Sequence, residues 1–347
     1  MNPMFSRTLK ALCTLAAAAM LSACGGASST VDPFVATRVI AFGDGFNYVD
    51  ANGSGQSTVR TTDLTTNPVV YVTDDTIAGR IAASRYGIVV KDVATGPALA
   101  ATGGFSYATA TATVDDVAAL TSGQIDRFLA SAGGTVAKKD LIIISVGNWD
   151  IKAAVASLTP AADIDTATTK LVAAIQRLTN AGAEHVVVMP SINMARTPWA
   201  RTAPNGKSLA DIQMLSITTA NLPSLNSFNV LLSTKLSTAY TQDRKPVLLL
   251  DQSSVFNNFA GYSDTDGTTR IINGSGLGIT ADTGFYVPVC STPTAFAGCT
   301  LANLTGGATS IDYQTYVFAD NINLTPLANR FLADTMAYSM RSFGWAP

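Results

Sequence analysis

The stretch Leu-Ile-Ile-Ile-Ser-Val-Gly-Asn-Trp-Asp occupies residues 141–150, so that six largely apolar residues run directly into Gly147 and a polar turn. An unbroken apolar run of this length is typical of a strand buried on both faces, as the strands of parallel sheets are. The residues after it would lie at the carboxyl end of the strand, where parallel sheets bind ligands. This stretch therefore predicts a parallel sheet with a candidate site after Val146.

Strand-like and helix-like segments alternate on both sides of this run. The predicted strands are Arg38–Phe42, Leu141–Val146, Glu184–Met189, Pro246–Leu250 and Tyr316–Phe318. The predicted helices are Thr76–Tyr86, Ser122–Ser131, Thr166–Leu178, Asn226–Tyr240 and a last one that begins after Thr325 and Pro326. We expect Asp74 or Asp75 to cap the first helix and Gly87 to end it. This alternation predicts an α/β fold with helices on both faces of a parallel sheet, and residues 251–312 form an irregular polar insertion.

The first residues have the layout of a secretory signal, with Arg7 and Lys10 before an apolar stretch from Ala11 to Leu21. The stretch ends Leu21-Ser22-Ala23-Cys24, which resembles a bacterial lipobox. We therefore predict a lipoprotein signal peptide at residues 1–23, a lipid on Cys24, a flexible tether at residues 24–37 and a single domain at residues 38–347. The alternative is an ordinary signal peptide that is cut nearby. Gly25, in place of an aspartate, indicates by resemblance the outer membrane of a bacterial cell envelope.

Composition narrows the class of partner. Charged residues are 13% of the chain, the net charge is −2, and no cluster of Lys and Arg is present. A nucleic-acid partner requires a basic face, so we expect none.

Of the four cysteines, Cys13 lies in the signal and Cys24 would carry lipid, which leaves Cys290 and Cys299. An oxidising periplasm would let these two form a disulfide, and the alternative is two free thiols.

Five segments carry a family resemblance, in order, over residues 38–345. They are 39–45, 104–112, 124–150, 182–190 and 316–325. They resemble the Gly-Asp-Ser block, the Asn-Tyr-Ala and Gly-Gly-Ala block, the Gly-x-Asn-Asp block, the mid-chain strand and the closing Asp-x-x-His-Pro-Thr block of the GDSL-type, or SGNH, lipases and esterases. The resemblance implies a three-layer α/β/α sandwich with a central parallel sheet, the flavodoxin-like fold of that family.

The catalytic positions depart from the family pattern. In the family a serine attacks an ester carbonyl, a histidine takes the serine's proton, and an aspartate orients the histidine. Gly45 stands at the serine position and Asn323 at the histidine position, while Asp320 stands at the position of the aspartate. The resemblance therefore implies a hydrolase scaffold with no intact catalytic residues.

The positions that would stabilise the oxyanion are altered as well. Ala110 or Thr111 stands where the family has a glycine, and Trp149 stands where the family has an asparagine. Asn148 lies one residue early, so we expect its side chain to point away from the site. Trp149 has two interpretations: a plug that fills the vacated pocket, or a surface on which a ligand such as a sugar stacks.

The sequence gives little support for other residues that would act in place of the missing serine and histidine. His185, the only histidine, precedes the predicted strand residues Val186–Val188 and should lie at the amino edge of the sheet, opposite the site. Asp44 could act as a replacement nucleophile, although an aspartate in such a turn more often accepts backbone hydrogen bonds. Asp44, Asp150 and Asp320 could hold a metal, but they lack a metal-ligand spacing. We therefore expect no metal and no cofactor.

Three hypotheses for the function follow. The favoured one is an SGNH-like, lipid-anchored envelope protein that is catalytically inactive and binds or organises a partner, with an ester, a lipid or a glycan as its ligand. The second is an active ester hydrolase that uses other residues. The third is a purely structural envelope protein.

Overall fold

The structure is a computed structural model that describes residues 34–51, 59–60, 76–93, 99–217, 225–241, 246–259, 288, 299–300 and 317–347. The predicted signal peptide, the lipidation site Cys24 and Cys290 lie outside these residues. The described body belongs to one compact unit that begins at Phe34. Among the described helices, none is both long enough and apolar enough to cross a membrane.

The strands form one large sheet and one small one. In chain order they are β1 Arg38–Gly43, β2 Val59–Arg60, β3 Val90–Asp92, β4 Gly103–Ser106, β5 Asp140–Ser145, β6 Val186–Met189, β7 Val247–Leu249 and β8 Cys299–Thr300. Six of them form a parallel sheet in the order β3-β4-β1-β5-β6-β7, and β2 pairs with β8. Every residue of β1 and β5 is buried, which accounts for the apolar run.

Helices cover the sheet in two groups. They are α1 Ile77–Tyr86, α2 Val114–Ala118, α3 Gln124–Ser131, α4 Asn148–Val155, α5 Pro160–Asn180, α6 Pro198–Arg201, α7 Leu209–Ser216, α8 Phe228–Ala239, α9 Gln252–Phe259 and α10 Pro326–Ser342. One group consists of α1, α9 and α10, and the other gathers around α5 and includes α2, α3, α4, α7 and α8. Both groups reach β1, so the predicted α/β fold with a parallel sheet between helices is confirmed.

The helix starts follow the local capping chemistry. Thr325 Oγ accepts from Ala328 N at 3.3 Å, with Pro326 in the first helical position, as predicted. The start of α1 differs from the prediction, because Thr76 is the cap and accepts from Gly79 N at 2.9 Å. Asp74 and Asp75, which lie outside the described residues, precede that cap. Gly87 ends α1 with φ +65°, as expected.

Three predicted assignments of secondary structure differ from the structure. Helix α5 starts at Pro160 and not Thr166, because the proline begins the helix despite its polar first turns. The insertion contains α9, which starts where Asp251 Oδ1 accepts from Ser253 N at 3.0 Å. Of the predicted strand 316–318, Tyr316 lies outside the described residues, and Phe318 forms an isolated bridge with Leu324.

The predicted tether is too long by four residues. Phe34 N donates to Gly344 O at 3.1 Å, and the Phe34 ring stacks on His185 with centroids 3.6 Å apart. Ala36 is buried, and Thr37 N donates to Lys139 O at 2.9 Å. The folded body therefore begins at Phe34, because an aromatic ring there adds apolar contact that a flexible linker would lack.

Candidate functional site

The site lies where the loops after β1 and β5 meet the loop before α10. At the end of β1, Gly43 adopts φ +121°, and a Cβ there would lie 1.7 Å from Ser145 O. Only glycine allows this approach between the two strand ends. The following residue, Asp44, donates its N–H to Ser145 O at 3.0 Å. The two central strands are thus joined at the point where parallel sheets carry their sites.

Asp44 is a buried connector. Its Oδ1 accepts from Phe46 N at 3.2 Å, and its Oδ2 accepts from Asn148 Nδ2 at 3.1 Å. Burial raises the pKa of Asp44 to about 7, the two hydrogen bonds oppose that rise, and the charge of Asp150 adds to it. The predicted turn role, in which this carboxyl accepts backbone hydrogen bonds, matches these contacts.

Asn148 points into the site, so the expectation that it would point elsewhere was wrong. Besides its bond to Asp44, its Oδ1 accepts from Ser191 Oγ at 2.8 Å and from Ile192 N at 3.2 Å. The reason is Gly147, whose φ of +125° turns the chain so that Asn148 becomes the first residue of α4. Asn148 therefore links the loops that follow β1, β5 and β6.

Trp149 packs against the core and against Lys152. Its ring packs partly against the core, and Lys152 Nζ lies 4.1 Å from the ring centroid, within cation–π distance. Burial lowers the pKa of Lys152, and the charge of Asp320 opposes that shift, which places Lys152 on the same side of the site as Asp320. The ligand-stacking interpretation of Trp149 would require Lys152 to move or to contact the ligand as well.

Asp320 holds Asn323 much as the resemblance implies that it would hold a histidine. Its Oδ2 accepts from Asn323 Nδ2 at 2.8 Å, and its Oδ1 accepts from Ile322 N at 2.8 Å and Asn323 N at 2.7 Å. Burial raises the pKa of Asp320, while these hydrogen bonds lower it. The carboxylate accepts from the amide Nδ2, so Asn323 Oδ1 must face the other way.

Asn323 Oδ1 faces Gly45. A Cβ added to Gly45 would lie 2.2 Å from Asn323 Oδ1 and 3.1 Å from Ala110 O. Asn323 is 2% exposed, and its Oδ1 has no hydrogen-bond partner within the part of the chain that the structure describes. The space that a side chain at position 45 would need is therefore filled by the residue at the histidine position.

The turn at Ala110 and Thr111 lies beside β1. Thr109 N donates to Gly43 O at 3.1 Å, and Ala112 N closes the turn by donating to Thr109 O at 3.2 Å. The nearest approach of this turn to Gly45 is through the carbonyl oxygen of Ala110, which carries negative partial charge. Such an oxygen would repel a developing oxyanion, so the altered glycine position does not reproduce a donor at this contact.

Sequence reasoning missed Gln124, the first residue of α3. Its Oε1 accepts from Gly43 N at 2.7 Å, and its Nε2 donates to Gly43 O at 3.0 Å. This buried side chain satisfies both backbone groups of a strand end that lies beside the site. Ser191 was missed too. The sequence signals for these residues were that Gln124 is a polar residue at a helix start and that Ser191 is a polar residue shortly after a strand.

The carboxyl group of Asp150 accepts its hydrogen bonds from the start of α2 and none from the residues around Asp44 and Asp320 that are described above. Both of its carboxylate oxygens accept from Val114 N, at 3.0 and 3.1 Å, so that it holds the start of α2. Burial raises the pKa of Asp150 to about 7. Within the described ranges, no group of three or more His, Cys, Asp or Glu side chains is placed to hold a metal ion.

His185 lies at the opposite edge of the sheet, where the sequence predicted it. Its carbonyl oxygen accepts from Ile142 N at 2.9 Å, at the start of β5. Its ring stacks on Phe34 and meets Trp345 edge-on, with centroids 4.9 Å apart. Burial lowers its pKa. It is a packing residue and takes no part in the site.

Some solved structures are similar to this chain at low sequence identity. No protein-family model matches the sequence, and no curated protein does so either. A solved structure of a member of the lipolytic protein G-D-S-L family from Veillonella parvula is 12% identical, covers 88% of this chain and 96% of its own, and has a TM-score of 0.39. A possible lipase from Chitinophaga pinensis is 13% identical, covers 89% of this chain and 99% of its own, and has a TM-score of 0.39.

Proposed function

We propose that this chain is an SGNH-hydrolase-like lipoprotein of the bacterial cell envelope, without ester hydrolase activity and with a binding or organising role. The observation that carries the proposal is the contact between Asn323 and Gly45. Asp320 holds Asn323 in place, and the Asn323 amide fills the volume that a nucleophilic side chain at position 45 would occupy. The space beside Gly45 is occupied by a packed side chain, and it is not an open pocket that merely lacks a catalytic group.

The chemistry of the remaining groups supports inactivity. A carboxamide has no useful basicity, and Gly45 has no side chain, so neither proton transfer nor attack on a carbonyl is available at these positions. In the serine protease subtilisin, removing the serine or the histidine of the triad costs about 10⁶-fold in turnover. Both residues are absent in this chain.

An active ester hydrolase is the second candidate, and one observation favours it. The raised pKa of Asp44, about 7, is what a general acid or base near neutral pH requires. Two observations oppose it. Asp44 is 1% exposed, and both of its oxygens already accept hydrogen bonds from within the protein. A substrate would have to displace Asn148 or Phe46 N to reach it.

The anchor is part of the proposal. The lipobox-like sequence before Cys24 would direct lipid to that residue, and several acyl chains give stable membrane attachment at about 0.8 kcal/mol for each buried CH₂. The described body begins at Phe34, so that residues 25–33 separate it from Cys24 in the sequence. At about 3.4 Å for each residue, a fully extended segment of this length would span roughly 30 Å.

Hydrolysis of short-chain nitrophenyl esters tests the central claim. We expect no activity above a boiled control in the unaltered protein, in the Gly45→Ser variant or in the Asn323→His variant. The double variant should give at most a trace, because Asn148 Nδ2 is committed to Asp44. Clear activity in the unaltered protein that Asp320→Ala abolishes would overturn the proposal. A ligand-dependent rise in Tm with ester, lipid or glycan probes distinguishes binding from a purely structural role.

A further inference from the structure

The edge of the sheet opposite the site is where the chain enters and leaves the folded body. Phe34 N donates to Gly344 O, and the rings of Phe34 and Trp345 both contact His185. The side chain of Tyr86 donates to Trp345 O in the same region. The segments around Phe34 and Trp345 are therefore held together at the amino ends of the strands.

Apolar side chains are exposed around this point. Val35 is 54% exposed, Val89 is 50% exposed and Phe343 is 61% exposed. Val35 and Phe343 flank the hydrogen bond between Phe34 and Gly344, and Val89 directly precedes β3. Large apolar side chains that cluster at a surface indicate an interaction site more often than isolated ones do.

Basic side chains surround the same point. Lys91, Lys139 and Arg341 are exposed, and Lys139 and Arg341 are held close to it by the bonds of their carbonyl oxygens to Thr37 N and Gly344 N. Glu184, an acid at this edge, is paired with Lys138 at 2.8 Å. Lys91, Lys139 and Arg341 therefore give this edge of the sheet an exposed group of cations.

We propose that this amino-edge surface, formed by Val35, Val89, Phe343, Lys91, Lys139 and Arg341, docks on a membrane surface of anionic lipid headgroups. Cations are attracted to such a surface within a Debye length of about 8–10 Å, and exposed apolar side chains enter the interfacial region. The proposal rests on the anchor in the proposed function, because the tether from Cys24 joins the body at Phe34, beside this surface. Docking turns the carboxyl-edge site away from the membrane.

A second copy of the chain is a less suitable occupant. A symmetric dimer through this surface would bring Lys139 and Arg341 of one copy near the same cations of its partner, which costs energy. An anionic lipid surface neutralises these cations instead. The site on the opposite edge would then be free to meet a ligand or partner in the periplasm or outside the cell.

Tryptophan fluorescence reports which edge meets the lipid. Trp345 lies at the amino edge, whereas Trp149 lies at the site and Trp199 N donates to Asn321 O beside it. A Trp149→Phe/Trp199→Phe chain keeps only Trp345, and a Trp199→Phe/Trp345→Phe chain keeps only Trp149. In vesicles of phosphatidylcholine and phosphatidylglycerol with brominated acyl chains, we expect Trp345 to be quenched severalfold more than Trp149. High salt should reduce the difference, since about 1 M salt shortens the Debye length to about 3 Å.

Surface variants test the residues. Lys139→Glu/Arg341→Glu and Phe343→Asp should each lose most of the quenching of Trp345. Leu158→Asp is the matched control, because Leu158 is fully exposed just before α5 starts, at the carboxyl edge, and should change nothing. Equal quenching of Trp345 and Trp149 in lipid-anchored protein would overturn the docking proposal. Concentration-dependent dimerisation that Lys139→Glu/Arg341→Glu abolishes would replace lipid with a second copy.

Anchoring and docking are separable. Partition of the unaltered protein into detergent reports the lipid anchor alone. The Cys24→Ala chain, added to the same anionic vesicles at low salt, reports docking without the anchor, and we expect its Trp345 to be quenched in preference to Trp149. Loss of partition with preferential quenching intact would reject the anchor and keep the docking surface. Partition into detergent without preferential quenching of Trp345 would keep the anchor and reject the docking surface.

Discussion

At the scale of single residues, the site is defined by a matched pair. Gly45 leaves a space, and Asn323 fills it with an amide that Asp320 holds by a bond of 2.8 Å. Changing either residue alone would disturb the other. A side chain added at position 45 would overlap Asn323, and an alanine at position 323 would leave a void beside Gly45. By resemblance, Gly45 and Asn323 stand at two positions that are catalytic in the family, and the structure shows that these two residues contact each other.

The pair can be measured by a double-mutant cycle. Gly45→Ala should lower the free energy of unfolding by about 1–3 kcal/mol, because its Cβ overlaps Asn323 Oδ1. In an Asn323→Ala background the same substitution should cost much less, which gives a coupling energy on the order of 1 kcal/mol. Urea unfolding of the four proteins provides the values. Additive effects of the two substitutions would show that the contact does not exist in solution.

The buried carboxyl groups predict a dependence of stability on pH. Burial raises the pKa of Asp44 from 3.8 to about 7, and it raises the pKa of Asp150 and of Asp320 in the same direction. A carboxyl whose pKa is higher in the folded protein contributes stability below its unfolded pKa, and the protein loses that stability as pH rises through the folded pKa. We expect Tm to fall as pH rises from about 4 to 7.5, with an upper bound of about 4 kcal/mol for Asp44 alone.

Two variants separate the causes of this slope. Asp44→Asn should flatten the fall of Tm between about pH 4 and 7.5, because the titrating group is gone. Asp211→Asn is the control: Asp211 is partly exposed, and hydrogen bonds from Ser208 lower the pKa of its carboxyl. The Asp211 variant should keep the slope. A Tm that rises with pH across this range would contradict the raised pKa values.

At the scale of elements, one side chain joins three strand ends. Asn148 bonds to Asp44 after β1 and to Ser191 and Ile192 after β6, and it lies three residues after the end of β5. A helix that starts with such a residue is positioned by side-chain hydrogen bonds as well as by packing. The site edge of the sheet is therefore held rigidly, which suits recognition of a partner by a preformed surface.

Truncation of Asn148 tests this role. Asn148→Ala should cost about 2–4 kcal/mol of unfolding free energy, since at least two buried polar groups lose their partners at about 1–3 kcal/mol each. Asn180→Ala, at the exposed end of α5, is the matched control and should change stability by about 0.5 kcal/mol or less. Urea unfolding measures both variants. A loss in the Asn148 variant no larger than in the control would show that these bonds contribute little.

At the scale of the whole molecule, the anchor makes a prediction for the mature chain. Lipid on Cys24 should carry the protein into the detergent phase when detergent and water separate, because its acyl chains are apolar. The Cys24→Ala protein should stay in the aqueous phase. Cys299→Ala provides a control for loss of any cysteine. Equal membrane fractionation of the Cys24→Ala and unaltered proteins would count against the anchor.

The second whole-molecule prediction concerns the disulfide between Cys290 and Cys299. Cys299 begins β8, which pairs with β2, while Cys290 lies outside the described residues. Closing so short a loop should contribute roughly 2–3 kcal/mol in the chain-entropy model, less any strain. Mass spectrometry of protein expressed in the periplasm, with and without reduction, should find a mass difference of two hydrogens. Two free thiols in the unreduced protein would exclude the bond.

The sequence by itself determined the fold class and the location of the site. Continuous apolar runs such as Leu141–Val146 require burial on both faces, and polar residues after them must lie at one edge of a parallel sheet. It also determined the start of α10, because Thr325 and Pro326 act through local capping chemistry. The remote position of His185 followed from its place before a strand.

Only the tertiary structure decided which way the site's side chains point. A turn at Gly147 with φ +125° brings Asn148 into the site and leaves Trp149 beside Lys152, and no local pattern specifies that turn. The contact of Asn323 with Gly45 joins residues far apart in the chain, so the sequence could suggest lost chemistry but not a filled pocket. Local signals determine elements because their causes act within a few residues. The geometry of a site depends on loops that long-range packing brings together.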